Sequence, residues 1–130
     1  MTVRLERILL VDDESDIRTV TAMALESLGG FVVERCASGP AALARLAAFA
    51  PQLVLLDVMM PGMDGPATLA ALRARDDFAA PPVVFLTART DPAAVDELRA
   101  LGAIDVIAKP FDPMALPAAV RAIWSSHRGD

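Results

Sequence analysis

The sequence predicts an α/β fold, a doubly wound five-stranded parallel sheet built as (βα)5 and sandwiched between helices as a three-layer structure. Three observations predict it. Short, strongly apolar, β-branched runs recur five times along the 130 residues. Segments of helical period fill the intervals between them. No Ser/Gly/Pro linker, internal repeat or low-complexity block interrupts the alternation. Runs that stay apolar on both faces suit parallel strands covered on both sides. Five such units in about 125 residues make an open sheet and not a barrel, which takes roughly twice the length.

The first strand runs from Ile8 to Val11, and the first helix, about Glu14 to Leu28, places Ile17, Val20, Ala24 and Leu28 on one face. Gly29 follows where a left-handed cap would end that helix. The second strand spans Phe31 to Cys36, and an alanine-rich helix from about Ser38 to Phe49 has Leu43 and Leu46 as anchors, with Pro51 stopping it. After the third strand, Leu53 to Leu56, a helix opens at Asp64 before Gly65. The fourth strand, Val83 to Leu86, precedes a helix that opens at Asp91 before Pro92 and closes at Gly102. The fifth strand is Ile104 to Ala108, and the last helix opens at Asp112 before Pro113. Pro117, a full turn inside it, removes one backbone bond and bends that helix or delays its start. Cys36, Met60 and Trp124, the last with Val120 and Ile123, are expected in the core, and His127 in a solvated tail. Right-handed crossovers then lead to the flavodoxin-like strand order 2-1-3-4-5, whose ligands sit beyond the carboxyl ends of the strands.

Composition bounds the function. A chain of this length is expected to make one domain, residues 1–130 with a core over about 7–125, without an output domain. At 55% hydrophobic and 22% charged it can bury its own core, which excludes disorder and a disulfide-stapled miniprotein. Mean hydropathy is +0.45, yet charges break every apolar stretch short of the roughly 18 to 20 residues a membrane span needs. The start of the chain lacks the apolar core of a signal peptide, and the single cysteine fits a reducing compartment, so a cytoplasmic location is expected. A net charge of -5 argues against nucleic acid or an anionic membrane as partner.

Asp12 and Asp13 follow the first strand directly, and Asp57 follows the third. One aspartate there would read as a helix cap or a loop residue. Three at paired strand ends repel one another unless a hard cation with oxygen ligands neutralises them, which points to a Mg²⁺ site. Thr87-Ala88 follows the fourth strand and Lys109-Pro110-Phe111 the fifth, on the same edge. Lys109 is the only lysine, the other eleven of the 12 basic residues being arginine. A compact ammonium at the mouth of an acidic pocket pairs with carboxylate or phosphoryl oxygen.

This set, with Asp57 standing in Asp-Val-Met-Met-Pro-Gly-Met-Asp-Gly, resembles the receiver domain of bacterial two-component response regulators, from about Arg7 to Trp124. The resemblance implies that Asp57 takes a phosphoryl group from a phosphohistidine of a sensor histidine kinase or histidine phosphotransfer protein. It implies that Asp13, Asp57 and the backbone carbonyl of Met59 ligate Mg²⁺, with Asp12 assisting directly or through water. Lys109 and Thr87 would bind phosphoryl oxygens, Ala88 would let the backbone approach them, and the Lys109-Pro110 bond would be cis. The domain would be a phosphoacceptor and not an enzyme beyond its own phosphorylation and dephosphorylation. It would act as a stand-alone adaptor, relay or phosphate sink, as a monomer or a weak dimer through its fourth helix, fifth strand and fifth helix. Kinase contacts would fall on the exposed side of the first helix, around Ser15, Arg18, Thr19 and Ala22.

One departure concerns the position three residues before the lysine, commonly aromatic in receivers and Val106 here. Signalling without an aromatic reporter then relies on the loop after Thr87 and on the surface of the fourth helix, fifth strand and fifth helix. Met59 and the bulky Arg89 flank the path of a hydrolytic water, which predicts slow self-dephosphorylation. Other classes fit less well. A dehalogenase-like phosphatase wants an aspartate where Met59 stands, and a flavin binder wants a Ser/Thr/Gly loop where Asp12, Asp13 and Glu14 would repel phosphate. An unphosphorylated interaction module would have no use for the complete set of pocket residues.

Overall fold

The computed structural model describes residues 3–75 and 80–128. Five strands, β1 (Arg7–Val11), β2 (Val32–Cys36), β3 (Leu53–Asp57), β4 (Val83–Thr87) and β5 (Asp105–Ala108), alternate with five helices. These are α1 (Ser15–Ser27), α2 (Gly39–Phe49), α3 (Gly65–Arg73), α4 (Pro92–Ala100) and α5 (Leu116–Arg128). The sheet has the order β2-β1-β3-β4-β5, and every pairing is parallel. Fold class and strand order are those the sequence predicts.

The side-chain alternation of each strand divides the core in two. Leu9, Val11, Val54, Leu56, Val83 and Phe85 face α2, α3 and α4 through Ala42, Leu46, Leu69, Leu72 and Leu98. Ile8, Leu10, Leu53, Leu55, Val84 and Leu86 face α1 and α5 through Ala22, Leu25, Leu116, Val120 and Trp124. The three central strands are thus dry on both faces. The edge strand β2 departs from the expected apolar run: Val32 is exposed, and Glu34 and Arg35 form ion pairs with Arg45 and Glu26 across its flanks. Charge on an edge blocks pairing with another chain.

Three local expectations need correction. On α1 the buried residues are Thr21, Ala22 and Leu25, whereas Val20 and Leu28 are 50% and 56% exposed. The apolar positions at i, i+3, i+7 suggested a face, but α1 is rotated so that small Ala22 and Thr21 approach the sheet closely. Gly29 is not the left-handed cap; that conformation falls on Gly30 at φ +70°. Its amide and that of Gly29 close the helix on the carbonyls of Glu26 and Leu25. Asp112 does not open α5. It caps a separate turn, accepting from the Met114 amide at 3.0 Å, and the helix begins at Leu116 with Pro117 as its second residue, where a missing N–H costs nothing. Pro117 therefore delays the helix rather than bending it.

The caps at Asp64 and Asp91 stand as expected, accepting from Ala67 and Ala94. Met60, Cys36 and Trp124 are buried, and the Trp124 indole donates to the Val3 carbonyl at 2.8 Å. Among the described residues no helix is long and apolar enough to cross a membrane.

Candidate functional site

Parallel pairing puts the carboxyl ends of β1, β3, β4 and β5 on one edge, and the register fixes which residues meet there. Asp57 ends β3 beside Leu86, and Thr87 ends β4 beside Ala108. The α3 N-terminus lies hard against this edge because residue 65 is glycine: a Cβ there would stand 2.5 Å from the Asp57 carbonyl oxygen and 2.8 Å from Val58 Cα. No side chain fits in that gap.

Asp12, Asp13 and Asp57 come together, with one carboxylate oxygen from each lying within 4.8 Å of the others. Asp12 and Asp57 are buried, and Asp13 lies nearer solvent. Lys109 closes the arrangement from β5, its Nζ 3.2 Å from Asp57 Oδ2, 3.4 Å from Asp12 Oδ2 and 3.9 Å from Glu14 Oε1. The backbone shapes the carboxylates further: the Glu14 amide donates to Asp12 Oδ1 at 2.9 Å and the Met59 amide to Asp57 Oδ1 at 3.3 Å. Lys109-Pro110 is a cis peptide, as the resemblance implied. Glu14, Ile17, Met59, Ala88 and Pro110 line a cleft of about 330 Å³ over Asp57 and Lys109.

Electrostatics follow from this packing. Burial pushes the Asp57 carboxyl above its ordinary range; the Lys109 ammonium opposes that shift without cancelling it, and Asp12 adds to it. Burial alone would lower the Lys109 pKa, but Asp12 and Asp57 outweigh it and hold the ammonium above an ordinary lysine. The pocket is therefore an acidic cluster with one cation, still one carboxylate in excess for Asp12 and Asp57 alone. Three oxygen-bearing anions and no soft ligand form a donor set that fits a hard divalent cation.

Thr87 is buried at the same edge, but its Oγ1 accepts from the Arg89 amide at 3.0 Å and lies 3.4 Å from the Arg89 carbonyl. Its hydroxyl is engaged within its own loop and not with Asp57. Met59 projects outward, 78% exposed, and Arg89 is exposed beside Asp91 at 3.6 Å. Val106 stands opposite Phe85 and packs, partly buried, on the α2–α4 side of the core. Of the positions expected to meet a kinase, Ser15 and Thr19 are exposed, but Ala22 is fully buried and Arg18 is partly buried. Two residues have contacts in the pocket that sequence reasoning did not give them: Glu14, whose carboxylate reaches Lys109, and Arg18, expected only at a kinase contact, which donates to the Asp12 carbonyl at 2.7 Å. Their signal was position alone, in the turn and first helical turn after the aspartate pair. A second, largely apolar cleft of about 270 Å³ adjoins the first through Ile17, Lys109 and Pro110, with Val20, Phe111 and Pro113 on its far side.

An acidic pocket at the carboxyl edge of a five-stranded parallel sheet, bridged by one lysine, defines a class of α/β domains that handle phosphoryl groups with a cation. The family profile of the response regulator receiver domain matches residues 8–121. The chain belongs to that family, whose general function is phosphoryl-accepting signalling. It is 39% identical over 116 residues to the transcriptional regulatory protein CseB of Streptomyces coelicolor, covering 89% of this chain and 48% of that protein. It is 40% identical over 117 residues to the DNA-binding response regulator MtrA of Mycobacterium bovis, covering 90% and 50%. The chain thus spans about half the length of the curated relatives it matches. Among solved structures, chemotaxis protein CheY4 of Vibrio cholerae superposes with a TM-score of 0.83 at 31% identity, covering 92% of this chain and 99% of that one.

Proposed function

We propose that Asp57 is the phosphoryl acceptor of this receiver, taking the group from a phosphohistidine of a sensor histidine kinase or histidine phosphotransfer protein. The observation that carries this reading is the convergence of Asp57 with the Lys109 ammonium at 3.2 Å and with the Asp12 and Asp13 oxygens within 4.8 Å. An Asp57 carboxylate oxygen attacks phosphorus while the P–N bond to the donor imidazole breaks, its electron pair returning to the ring nitrogen. Lys109 lies where it can bind an equatorial oxygen of the transferred group, and swinging from Asp12 to that oxygen leaves its charge paired throughout. Asp12, Asp13, Asp57 and the Met59 backbone carbonyl would hold Mg²⁺, which supplies charge neutralisation to phosphoryl oxygens and lets the carboxylates stay ionised. The Thr87 hydroxyl, now donating to the Arg89 carbonyl at 3.4 Å, would redirect that hydrogen bond to a phosphoryl oxygen, and the small Ala88 leaves its amide within reach of the group.

The added charge of about -1.5 to -2 makes that exchange a switch, because moving Thr87 moves the loop leading into α4. With Val106 in the aromatic position, the switch surface is the 88–91 loop and the faces of α4, β5 and α5, used for protein contact, for a weak dimer or in a relay. Self-phosphorylation and its reversal are the only reactions assigned to the chain, and a cytoplasmic setting suits its histidine-kinase partner. Incubation with Mg²⁺ and acetyl phosphate, followed by intact mass, tests the reading. It expects one added phosphoryl group that is absent from Asp57→Asn and from a chelated sample. Modification that persists in Asp57→Asn, or none from acetyl phosphate or a phosphorylated phosphotransfer protein, overturns it.

A further inference from the structure

We infer that Arg18 is a positioning residue of the acidic pocket, gripping the backbone of the turn between β1 and α1 so that Asp12 and Asp13 aim at one point. The inference rests on the metal-binding part of the function proposed above. Arg18 sits in the first turn of α1, and its Nη1 donates to the Asp12 carbonyl oxygen at 2.7 Å. Its own amide bonds the Glu14 carbonyl at 2.8 Å, and the Glu14 amide bonds Asp12 Oδ1 at 2.9 Å. Three hydrogen bonds thus fasten a three-residue turn, one of them charge-assisted and partly buried.

What the guanidinium does not do is equally informative. It stands in sequence beside Asp12, Asp13, Glu14 and Asp16, yet among the described residues it forms no ion pair. A cation that neutralised these carboxylates would compete with a metal ion. One that takes the backbone carbonyl fixes the turn without placing a second cation on the carboxylate oxygens. Groups that orient ligands from behind in this way commonly contribute about 10- to 100-fold to metal affinity.

Mn²⁺ binding to the intact, unphosphorylated protein, followed by electron paramagnetic resonance, tests the assignment without relying on phosphoryl transfer. Arg18→Met is expected to weaken Mn²⁺ about tenfold, and Arg18→Lys, which keeps a cationic donor, to recover most of that loss. Arg45→Met removes a positive charge from the α2 surface, where Arg45 pairs with Glu34 at 2.7 Å, and is expected to bind as the parent does. In the metal-free protein the Glu14 amide should exchange with solvent faster in Arg18→Met than in the parent. Arg18→Met binding within twofold of the parent overturns the inference, as does equal loss in Arg18→Met and Arg18→Lys, which would mark a merely structural side chain. A parent protein that binds no Mn²⁺ overturns instead the metal-binding reading on which this rests.

Discussion

Lys109 Nζ lies 3.2 Å from Asp57 Oδ2 although 52 residues separate them in the chain, and the two groups are held in opposite electrostatic circumstances. Lys109 gains charged partners on folding, whereas Asp57 loses more to burial than its one cation returns. Folding therefore favours the charged lysine and disfavours the charged aspartate.

Opposite signs follow for two substitutions in chelator at pH 7. Asp57→Asn is expected to stabilise the metal-free protein and raise its Tm, because burial disfavours the charged carboxylate. Lys109→Met is expected to destabilise it and lower its Tm, since it leaves the two buried carboxylates of Asp12 and Asp57 without a counter-ion. Because the folded-state pKa of Asp57 is raised, its penalty on the parent fades as pH falls through that value, so the gap between parent and Asp57→Asn should narrow toward acid. Thermal melts across pH 4 to 7 measure it, and a gap that widens toward acid contradicts the electrostatics.

If Asp57 carries the phosphoryl group, Met59 and Arg89 are expected to limit access of water to it. Met59 is exposed and lines the cleft over Asp57, Arg89 is exposed one residue beyond Ala88 of the same cleft, and neither offers a carboxamide or carboxylate to hold a water in line. Met59→Asn and Arg89→Ala are each expected to speed loss of the phosphoryl group several-fold, by admitting or orienting a hydrolytic water. Intact-mass decay after removal of acetyl phosphate compares them, and equal half-lives in all three proteins refute the prediction.

Gly65 is the contact on which the site's geometry leans. Gly65→Ala would set a Cβ 2.5 Å from the Asp57 carbonyl and 3.0 Å from the Phe85 ring, so β3 and α3 must part. Overpacking of this kind costs about 1–3 kcal/mol. The expected result is a lower urea midpoint together with weakened phosphorylation, because the displaced strand end carries Asp57. Gly62→Ala serves as the comparison: its φ of +74° strains the turn, but no atom lies within 4 Å of the new Cβ. A larger effect on phosphorylation at Gly62 than at Gly65 contradicts the argument.

Much of this architecture was legible because parallel strands buried on both faces need unbroken apolar runs, and Leu-Leu-Val or Leu-Val-Leu-Leu leaves few alternatives. The convergence of Asp12, Asp13, Asp57 and Lys109 followed from topology, since all four stand at or just after the carboxyl ends of strands. Three things were not legible. The rotation of α1 depends on whether Thr21 and Ala22 or Val20 and Leu28 meet the sheet, and close approach of small side chains won over larger apolar area. The start of α5 depended on a competition between an Asp112 cap and Pro117, settled by a separate turn between them. The Arg18 contact is with a backbone carbonyl, and periodicity carries no information about which carbonyl an arginine reaches.

Cys36, buried at the end of β2, provides a pH test at the alkaline end. Burial, reinforced by Glu34, pushes its thiol from 9.0 up to about 11. A raised folded-state pKa contributes stability that is complete below pH 9 and is lost as pH rises toward 11, because the unfolded chain releases the proton first. The interval corresponds to on the order of 2–3 kcal/mol. Lys109, also raised on folding, loses its contribution in the upper part of the same window. Cys36→Ala removes only the first effect. The parent should therefore lose stability more steeply than Cys36→Ala between pH 9 and 11, while both keep the shallower loss due to Lys109. At pH 8 the native thiol should resist a disulfide reagent that modifies it at once in urea. Parallel stability curves for the two proteins, or rapid labelling of the native thiol at pH 8, would mean that Cys36 is not held in the closed environment between β2, β1 and α2.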